Sequence, residues 1–227
     1  MGQGRLLCAP GQPKASHAGT VTNCYVEAGS ISGNREVGGL VGWNGLGGTI
    51  TDSYCTGAVG GDDKVGGLLG ANSGIVTNCW STCGVDASND VGGLVGDNDS
   101  SIMNSWSHAG VEGRKVVGGL VGRNAPGEIV NCYAWGSVAG KWYVGGLVGS
   151  NVDGEVTGCF WDVETSGRTR SYGGTRKTTA EMQTADTFLD AGWDFVNEMK
   201  GGTEDIWWIP EGRDYPRLWW EPTEDGE

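Results

Sequence analysis

The chain has 227 residues, of which 44 are glycine, and a formal charge of −13 at neutral pH. This acidity argues against binding to nucleic acids or to anionic membranes, because both ligands need a basic surface. The sequence has no run of 18 apolar residues and no apolar core of a signal peptide in residues 1–10, so neither a membrane span nor a secretory leader is predicted.

A six-residue phrase, Val-Gly-Gly-Leu-Val-Gly, dominates the sequence. It begins at Val37 and returns at Val65, Val91, Val117 and Val144, with Leu in place of the second Val in the copy that starts at Val65. The starts differ by 28, 26, 26 and 27 residues. One phrase at a nearly constant period indicates an architecture of stacked repeats.

Each repeat contains an Asn and then a short segment that ends in an aromatic ring, of which Val21-Thr22-Asn23-Cys24-Tyr25 is the first copy. Gly, Asn and Asp separate three strand-like pieces, and these residues form turns because they tolerate positive φ. Each piece is too short to bury a face alone, so it must pair in parallel with its equivalent one repeat away. The sequence therefore predicts an all-β, parallel β-solenoid of about six coils over residues 20–165, right-handed because parallel crossovers usually are.

Charge predicts which side chains point inward. The position before the Val/Ile column carries Glu128 and Glu155, so it faces outward, and the Val/Ile column itself and the small Cys/Ser column face inward. The Asn between these two columns supplies a bend and is expected to hydrogen-bond with its stacked equivalents. By the same alternation the ring column faces outward or lies along a corner; the alternative is that the rings fill the core. The column consists of Tyr25, Tyr54, Trp80, Trp106, Tyr133 and Phe160.

Residues 166–227 depart from the repeat. Residues 166–179 have the composition of a loop, and the spacing of Thr178 and Glu181 predicts a capping box that starts a helix over about 179–190. A tryptophan-rich tail follows, and we expect it to cap the last coil or to serve assembly, because open solenoid ends expose unpaired strand edges. The cap residues are Trp193, Trp207, Trp208, Trp219 and Trp220. The N-terminal segment 1–19 has no comparable material, which leaves the first coil available to another partner.

The residues offer little for catalysis. The two histidines, His17 and His108, lie outside any His-Glu-x-x-His helix, and His108 belongs to an outward column of the repeat. Asp162 and Glu164 stand alone rather than in a carboxylate cluster of the kind that glycoside hydrolysis needs. No catalytic residue and no enzymatic activity are predicted.

The seven cysteines follow the period of the repeat, so we interpret them as ladder residues of the core. Cys132 and Cys159 would stack on adjacent coils within reach of a disulfide, although free buried thiols are the preferred interpretation. No cofactor or metal is predicted. Structural calcium is the alternative, because four aspartates place hard oxygen ligands on turns, without EF-hand spacing. These are Asp62, Asp97, Asp99 and Asp153.

The Gly-rich phrase, the Asn after it and the segment Ile/Val-x-Asn-Cys/Ser-Tyr/Trp together resemble the GLUG motif. This motif occurs in tandem in bacterial surface proteins, including IgA-peptidase-like proteins and filamentous adhesins. The resemblance covers about residues 20–160, and the tail segments 192–195 and 215–218 resemble the sequence that often follows such arrays. It implies an extracellular or cell-surface location and carries no catalytic residue with it.

Two functions fit these observations. The first is a structural rod that assembles with itself, head to tail, into a surface fibre, because its two ends differ. The second is an adhesin module that binds a surface glycan or protein, because exposed aromatic rings are favoured recognition surfaces. The binding residues of the second hypothesis are the rings Tyr25, Tyr54, Trp80, Trp106 and Tyr133.

Overall fold

The computed structural model describes residues 16–17, 19–27, 29–196 and 204–221. It is an all-β structure, 50% strand and 7% helix, in which parallel sheets stack as a β-solenoid of about five turns. The prediction of a parallel β-solenoid is confirmed. The predicted N-terminal segment 1–19 lies outside the described residues except for residues 16, 17 and 19. Among the described residues, no helix is long and apolar enough to cross a membrane.

The strands are short and recur in the same order in each turn. The first ten strands are β1 (Ser16–His17), β2 (Thr20–Thr22), β3 (Tyr25–Val26), β4 (Ser30–Ser32), β5 (Arg35–Gly38), β6 (Val41–Asn44), β7 (Thr49–Thr51), β8 (Tyr54–Cys55), β9 (Ala58–Gly66) and β10 (Leu69–Asn72). The next ten are β11 (Ile75–Thr77), β12 (Trp80–Ser81), β13 (Gly84–Gly92), β14 (Val95–Asn98), β15 (Ser101–Met103), β16 (Trp106–Ser107), β17 (Val111–Gly118), β18 (Val121–Asn124), β19 (Glu128–Val130) and β20 (Tyr133–Ala134).

The last part of the chain adds helices. The remaining strands of the solenoid are β21 (Val138–Ala139), β22 (Trp142–Gly145), β23 (Val148–Asn151), β24 (Glu155–Thr157), β25 (Phe160–Asp162) and β26 (Thr175–Lys177). The helices are α1 (Val163–Ser166), α2 (Thr179–Met182) and α3 (Ala185–Leu189), and the tail ends in the antiparallel pair β27 (Trp207–Trp208) and β28 (Arg217–Leu218).

Four parallel sheets form the walls of the solenoid. Sheet I has the order β1-β6-β10-β14-β18-β23 and sheet II the order β2-β7-β11-β15-β19-β24. Sheet III has the order β26-β25-β20-β16-β12-β8-β3, and sheet IV the order β21-β17-β13-β9-β4, with β5 paired to β9 and β22 to β17. The six strands of sheet II are separated by five turns.

Equivalent residues of successive turns lie directly above one another. The leucines of the Gly-rich phrase show this most clearly: the amide of Leu40 donates to the carbonyl of Leu68 at 2.9 Å, and that of Leu68 to Leu94 at 3.0 Å. The file continues through Leu120 to Leu147, and all five side chains are buried. Like side chains therefore touch like along the rod.

The predicted orientation of the columns is confirmed. The Val/Ile column of sheet II, the Cys/Ser column and the small residues after the rings all face the core, although their copies in the first coil are only partly buried. The Asn column between them makes the bend, since Asn78 has a φ of 52° and Asn104 one of 47°. This column is not the buried Asn ladder that we expected, because its side chains lie at the surface or only half-buried. One bond of the expected kind is present, since the side-chain amide of Asn78 donates to Asp52 Oδ1 at 3.2 Å.

A different Asn column forms the ladder, namely the one that follows each Gly-rich phrase. The side-chain amide of each Asn donates to the amide oxygen of the next, at 2.9, 2.8, 2.7 and 2.9 Å. The members are Asn44, Asn72, Asn98, Asn124 and Asn151. The first four are buried, and the hydrogen bonds compensate for the burial of their polar groups, except at Asn44 Oδ1, which begins the ladder and has no hydrogen-bond partner among the described residues.

The glycines of the repeat allow the wall of one turn to approach the next. A Cβ atom on Gly67 would lie 2.1 Å from Ser81 Oγ and 2.3 Å from the carbonyl oxygen of Gly93. The same crowding recurs at Gly93, whose Cβ would lie 2.1 Å from the carbonyl oxygen of Gly119. Glycine is therefore required at this position by close packing rather than by flexibility.

The helical region differs from the prediction. The capping box of Thr178 and Glu181 is confirmed, but the helix predicted over about 179–190 is divided into α2 and α3. Thr184 interrupts it with an extended backbone, φ −120° and ψ 121°, and the carbonyl of Gln183 accepts a hydrogen bond from the amide of Gly212 instead of continuing the helix. The predicted loop 166–179 also contains strand β26.

Candidate functional site

The aromatic rings form a continuous stack on the outer side of sheet III. The centroids of Tyr25 and Tyr54 are 5.0 Å apart, those of Tyr54 and Trp80 4.2 Å, and those of Trp80 and Trp106 5.1 Å. Tyr133 continues the stack at 6.0 Å from Trp106. The rings belong to an apolar cluster separate from the core of the solenoid, so they face outward as predicted.

Most of the stack is nevertheless covered. Trp106 and Tyr133 have no exposed surface, and Trp80 and Phe160 are also buried. The expectation of a fully exposed ladder is therefore wrong at these positions, because the C-terminal tail lies along the stack. Only Tyr25 and Tyr54, at the N-terminal end of the column, are half-buried.

The tail residues that we predicted as a cap have divided roles. Trp193 packs on Tyr133 and Phe160, at 6.1 Å from each ring, and its indole N–H donates to the carbonyl of Gly158 at 2.8 Å. Trp207 lies between Trp193 and Tyr133, at 4.5 and 6.0 Å. The tail thus covers the flank of the rod rather than its end alone.

The other three tryptophans of the predicted cap are less enclosed. Trp220 extends the cover toward the N-terminal end and lies 6.2 Å from Tyr54. Trp208 is half-buried and its indole donates to the carbonyl of Leu218 at 3.3 Å. Trp219 is 58% exposed. The sequence did not distinguish these positions, because it gives no information on which side of the tail meets the rod.

The end of the rod is covered by residues that precede the tail. Strand β26 pairs with β25 and extends sheet III. The amide of Gly146 donates to the carbonyl of Arg170 at 2.9 Å, and the amide of Tyr172 to the carbonyl of Val148 at 3.0 Å. This segment, residues 168–177, satisfies part of the edge of the last turn.

Two buried carboxylates hold the tail to the rod. Glu221 accepts hydrogen bonds from the indole of Trp106 and from the amide of Leu218, both at 2.7 Å, and Arg217 lies 3.5 Å from it and over the ring of Trp106. Burial raises the pKa of Glu221 to about 7. Since the tail brings this group into an apolar environment, the attachment of the tail is sensitive to pH.

Asp162 is the second anchor and is fully buried. Its carboxylate caps α1 by accepting from the amides of Glu164 and Thr165, and it also accepts from the hydroxyls of Thr179 and Tyr215. The sequence alone identified Asp162 only as an isolated carboxylate. The tail buries it, and its hydrogen bonds hold the tail and α1 in place.

The aspartates considered for calcium lie in different settings. Asp97 is buried and pairs with Lys64 at 2.6 Å and with Arg123 at 3.0 Å, so its charge is already compensated. Asp62, Asp99 and Asp153 are exposed. Within the described ranges, no three His, Cys, Asp or Glu side chains lie close enough together to hold a metal ion.

Next to Asp97, desolvation and the charges of Asp97 and Asp63 raise the pKa of Asp90 to about 6.

The six described cysteines are free thiols. Cys132 and Cys159, which stack as predicted, are linked by a hydrogen bond from the amide of Cys132 to the sulfur of Cys159 at 3.3 Å. The closest sulfurs were missed: Cys55 Sγ and Cys83 Sγ are 3.0 Å apart, and both side chains are buried. The register of the repeat contained a signal for this contact. Ser81 pairs with Cys55, and Cys83 lies two positions after Ser81 on the same face of the chain.

The side chain of His108 has an aromatic partner. His108 stacks on Trp135 with a centroid distance of 3.5 Å, and Trp135 stacks on Tyr215 at 4.0 Å. Desolvation and the charge of Arg217 lower the pKa of His108. The side chain of His17 lies outside the described part of the chain.

A second aromatic group lies at the C-terminal end of the rod, and it is exposed. Trp142 is 54% exposed, Tyr143 55% and Tyr172 46%. The rings of Tyr143 and Tyr172 are 6.3 Å apart, and Lys141 lies over the ring of Trp142 at 5.5 Å. A neighbouring cavity of about 400 Å³ is lined in part by Tyr172 and Arg170. We call Trp142, Tyr143 and Tyr172 the end patch.

Comparison with known proteins gives no relative for this chain: no family model matches it, and no curated protein or solved structure shows significant similarity to it.

Proposed function

We propose that this chain is a non-enzymatic structural module of an extracellular or cell-surface protein, a β-solenoid rod that assembles end to end into a fibre. The observation that supports the proposal is the lower burial of the inner column of sheet II at the two ends of the rod. Its inner Val/Ile column is fully buried at Ile50, Val76 and Ile102, but half-exposed at Val21 in the first strand and at Val156 in the last.

A second copy supplies what both ends lack. Among the described residues, β2 and β24 each have one strand partner, so each presents a free parallel edge. Gly173 of the segment 168–177 lies against the side chain of Val156, so this segment must move off the last turn before a copy can stack there. A copy in the same register would then set Val156 beside Val21 and Thr157 beside Thr22, at the spacing of about 4.8 Å that separates paired strands. Unlike ends that fit one another generate a head-to-tail contact, which propagates as a filament unless it closes into a ring.

The interior supports a structural role. The Leu file, the Asn ladder and the ring stack use equivalent side chains of each turn to bind those of the next, and the buried carboxylates Asp97, Asp162 and Glu221 have hydrogen-bonded or ionic partners within the fold. The surface location rests on the resemblance of the repeats to the GLUG motif of bacterial surface proteins.

Electron microscopy with negative stain, together with sedimentation velocity over a range of concentrations, tests the proposal. The wild-type protein should form filaments whose length grows with concentration. Val21→Asp and Val156→Asp should each prevent filament growth, because a carboxylate would be buried at the junction. Val152→Asp is the matched control, since Val152 is 50% exposed. Monodisperse single particles of the wild-type protein at every concentration would refute the proposal, provided that circular dichroism shows folded protein.

A second candidate function is the binding of a surface glycan, and the end patch favours it. Aromatic faces and an adjacent arginine suit the apolar faces and acidic groups of sugars, and the patch exposes three rings, of which Tyr143 and Tyr172 are 6.3 Å apart. The rings Trp80, Trp106 and Tyr133 are buried beneath the tail, which leaves Tyr25 and Tyr54 as the accessible part of the original hypothesis. Glycan arrays should show binding that Trp142→Ala abolishes and that Trp219→Ala, at an exposed tail position, leaves unchanged. Equal binding by both variants would exclude the end patch.

A further inference from the structure

We propose that Cys55 and Cys83 form a disulfide bond that links two adjacent turns of the solenoid when the chain folds in the presence of a small-molecule disulfide. This covalent site is independent of fibre assembly and of glycan binding. It lies in the wall between strands β8 and β12, where the two turns are otherwise held by hydrogen bonds and packing alone.

The sulfurs are placed for bond formation. Cys55 Sγ and Cys83 Sγ are 3.0 Å apart, about 1 Å more than the length of a disulfide bond. The backbones already hold this approach, because Cys55 pairs in register with Ser81, two residues before Cys83, and the amide of Cys83 donates to Ser81 Oγ at 3.2 Å. Bond formation requires the two sulfurs to approach each other by about 1 Å.

The remaining described cysteines have a different arrangement. They occupy the Cys/Ser column, where each thiol lies within hydrogen-bond distance of the carbonyl oxygen two residues before it in its own turn. The distances are 3.3 Å for Cys24, 3.1 Å for Cys79, 3.1 Å for Cys132 and 3.2 Å for Cys159. In Cys55 the only comparable carbonyl, that of Thr56, is 3.9 Å away. The side chains of Cys132 and Cys159 also interact with each other, but both of those thiols lie close to a carbonyl of their own turn as well. Cys55 and Cys83 are the pair whose sulfurs lie 3.0 Å apart.

The chemistry is a thiol–disulfide exchange in two steps. The Cys83 thiolate attacks one sulfur of the small-molecule disulfide, which forms a mixed disulfide and releases one thiolate. The Cys55 thiolate then attacks the sulfur of Cys83, which forms the Cys55–Cys83 bond and releases the second thiolate. The two protein thiols lose two protons and two electrons in total, and the reagent is reduced to two thiols.

The order of the steps follows from the local environment. The contact with the Cys55 side chain lowers the pKa of Cys83, whereas that same contact and burial raise the pKa of Cys55. Cys83 is therefore the better initial nucleophile. Both side chains are buried in the finished fold, so exchange takes place after the two sulfurs have met but before the rest of the wall closes over them.

Neighbouring turns supply variants that the fold already accepts. The position of Cys55 is occupied by Ser81 and Ser107 in the next two turns. The position of Cys83 is occupied by Ala109 one turn later, by the offset that pairs Val85 with Val111. Cys55→Ser and Cys83→Ala therefore remove a sulfur without placing a foreign residue in the core. Cys79→Ser is the matched control, because Ser53 and Ser105 occupy its column.

The experiment is refolding of the reduced full chain in a buffer of oxidised and reduced glutathione, followed by thiol counting in denaturant and by mass spectrometry. We expect the wild-type protein and Cys79→Ser to lose two thiols each, and a tryptic cross-link between residues 36–64 and 65–114 with fragment ions that assign Cys83. Cys55→Ser and Cys83→Ala should keep all their thiols. Any other linked pair in the wild-type protein, or full retention of its thiols, would overturn the proposal.

Thermal unfolding gives an independent reading. The bond closes a loop of about 29 residues, for which chain entropy predicts a rise in melting temperature on the order of 10 °C for the oxidised protein relative to the reduced one. Cys55→Ser and Cys83→Ala should melt at the same temperature with and without reductant. A wild-type protein that carries the bond but melts no higher would show that the site is strained, and it would overturn the inference that the fold is preorganised for it.

Discussion

The Asn ladder provides the sharpest test of the stacked architecture, because its hydrogen bonds have a direction. The side-chain amide of Asn98 donates to Asn124 Oδ1 at 2.7 Å and to the carbonyl of Ser100 at 2.9 Å, and its own oxygen accepts from Asn72 at 2.8 Å. Asn98→Asp is isosteric and keeps the acceptor. It replaces both donated hydrogen bonds by contacts between acceptors, at a side chain with no exposed surface.

The cost follows from these contacts. Two lost hydrogen bonds amount to about 2 kcal/mol, and two buried acceptors left without a donor add about 1–3 kcal/mol each. We therefore expect Asn98→Asp to lower the free energy of unfolding by about 4–8 kcal/mol at neutral pH. The loss should shrink in acid, because a protonated carboxyl group can donate one of the two bonds.

Asn151 is the matched control, because it is the last Asn of the ladder. Its oxygen accepts from Asn124 at 2.9 Å, which Asp would retain, and its amide donates only to the carbonyl of Gly154 at 3.0 Å. The side chain is half-buried. Asn151→Asp should cost about 1 kcal/mol.

Urea denaturation followed by far-ultraviolet circular dichroism measures both variants, and hydrogen exchange shows which turns loosen. Repeat proteins unfold in segments, so the midpoints are compared together with the exchange rates of the neighbouring turns. Equal losses for Asn98→Asp and Asn151→Asp would refute the direction of the ladder. If instead Asn44→Asp were the tolerated change, the amides would point the opposite way along the rod.

Three further outcomes are expected. Glu221→Gln should flatten the pH dependence of stability, because the pKa of Glu221 in the folded chain is about 7 against 4.5 for the ordinary group. The wild-type protein should therefore lose about 3 kcal/mol of unfolding free energy as the pH rises through this window. Equal urea midpoints of the wild-type protein at pH 5 and pH 8 would contradict this. Gly67→Ala should cost about 3 kcal/mol or more, because its Cβ meets backbone and Ser81, whereas Gly29→Ala, with open space around its Cβ, should be nearly neutral in the same thermal melts. Asp97→Asn should destabilise the fold by about 2 kcal/mol, because Lys64 and Arg123 lose their buried partner. It should also lower the pKa of Asp90 from about 6, because a repelling carboxylate is removed while the two cations remain, and an NMR titration measures this change.

The sequence was informative where a residue type repeats for one physical reason. The inward position of Ile50 and Val76 followed from alternation and from the charges of their neighbours, and the bend at Asn78 followed from the need to change parity between two inward columns. Both arguments use only the chain within one turn and its copy in the next. Five copies of the phrase repeat each test, so single exceptions do not obscure the pattern.

The sequence was less informative where the contact joins elements that do not repeat. The rings Trp106 and Tyr133 point away from the core as the alternation requires, yet the sequence does not show that Trp193 and Trp207 cover them. Positive φ at Val116 is a different case, because the same position has a positive φ in the other turns, at Glu36, Lys64, Asp90 and Tyr143, but no common residue type marks it in the sequence.

By itself, then, the sequence determined the period, the strands, the inward columns and the parallel stacking. These features depend on local conformational preferences that are the same in each equivalent turn. The tertiary structure alone decided the path of the tail along the ring stack and the burial of Asp162 and Glu221 beneath it. These contacts join residues whose relation depends on how one particular surface meets another, and no periodic pattern encodes that meeting.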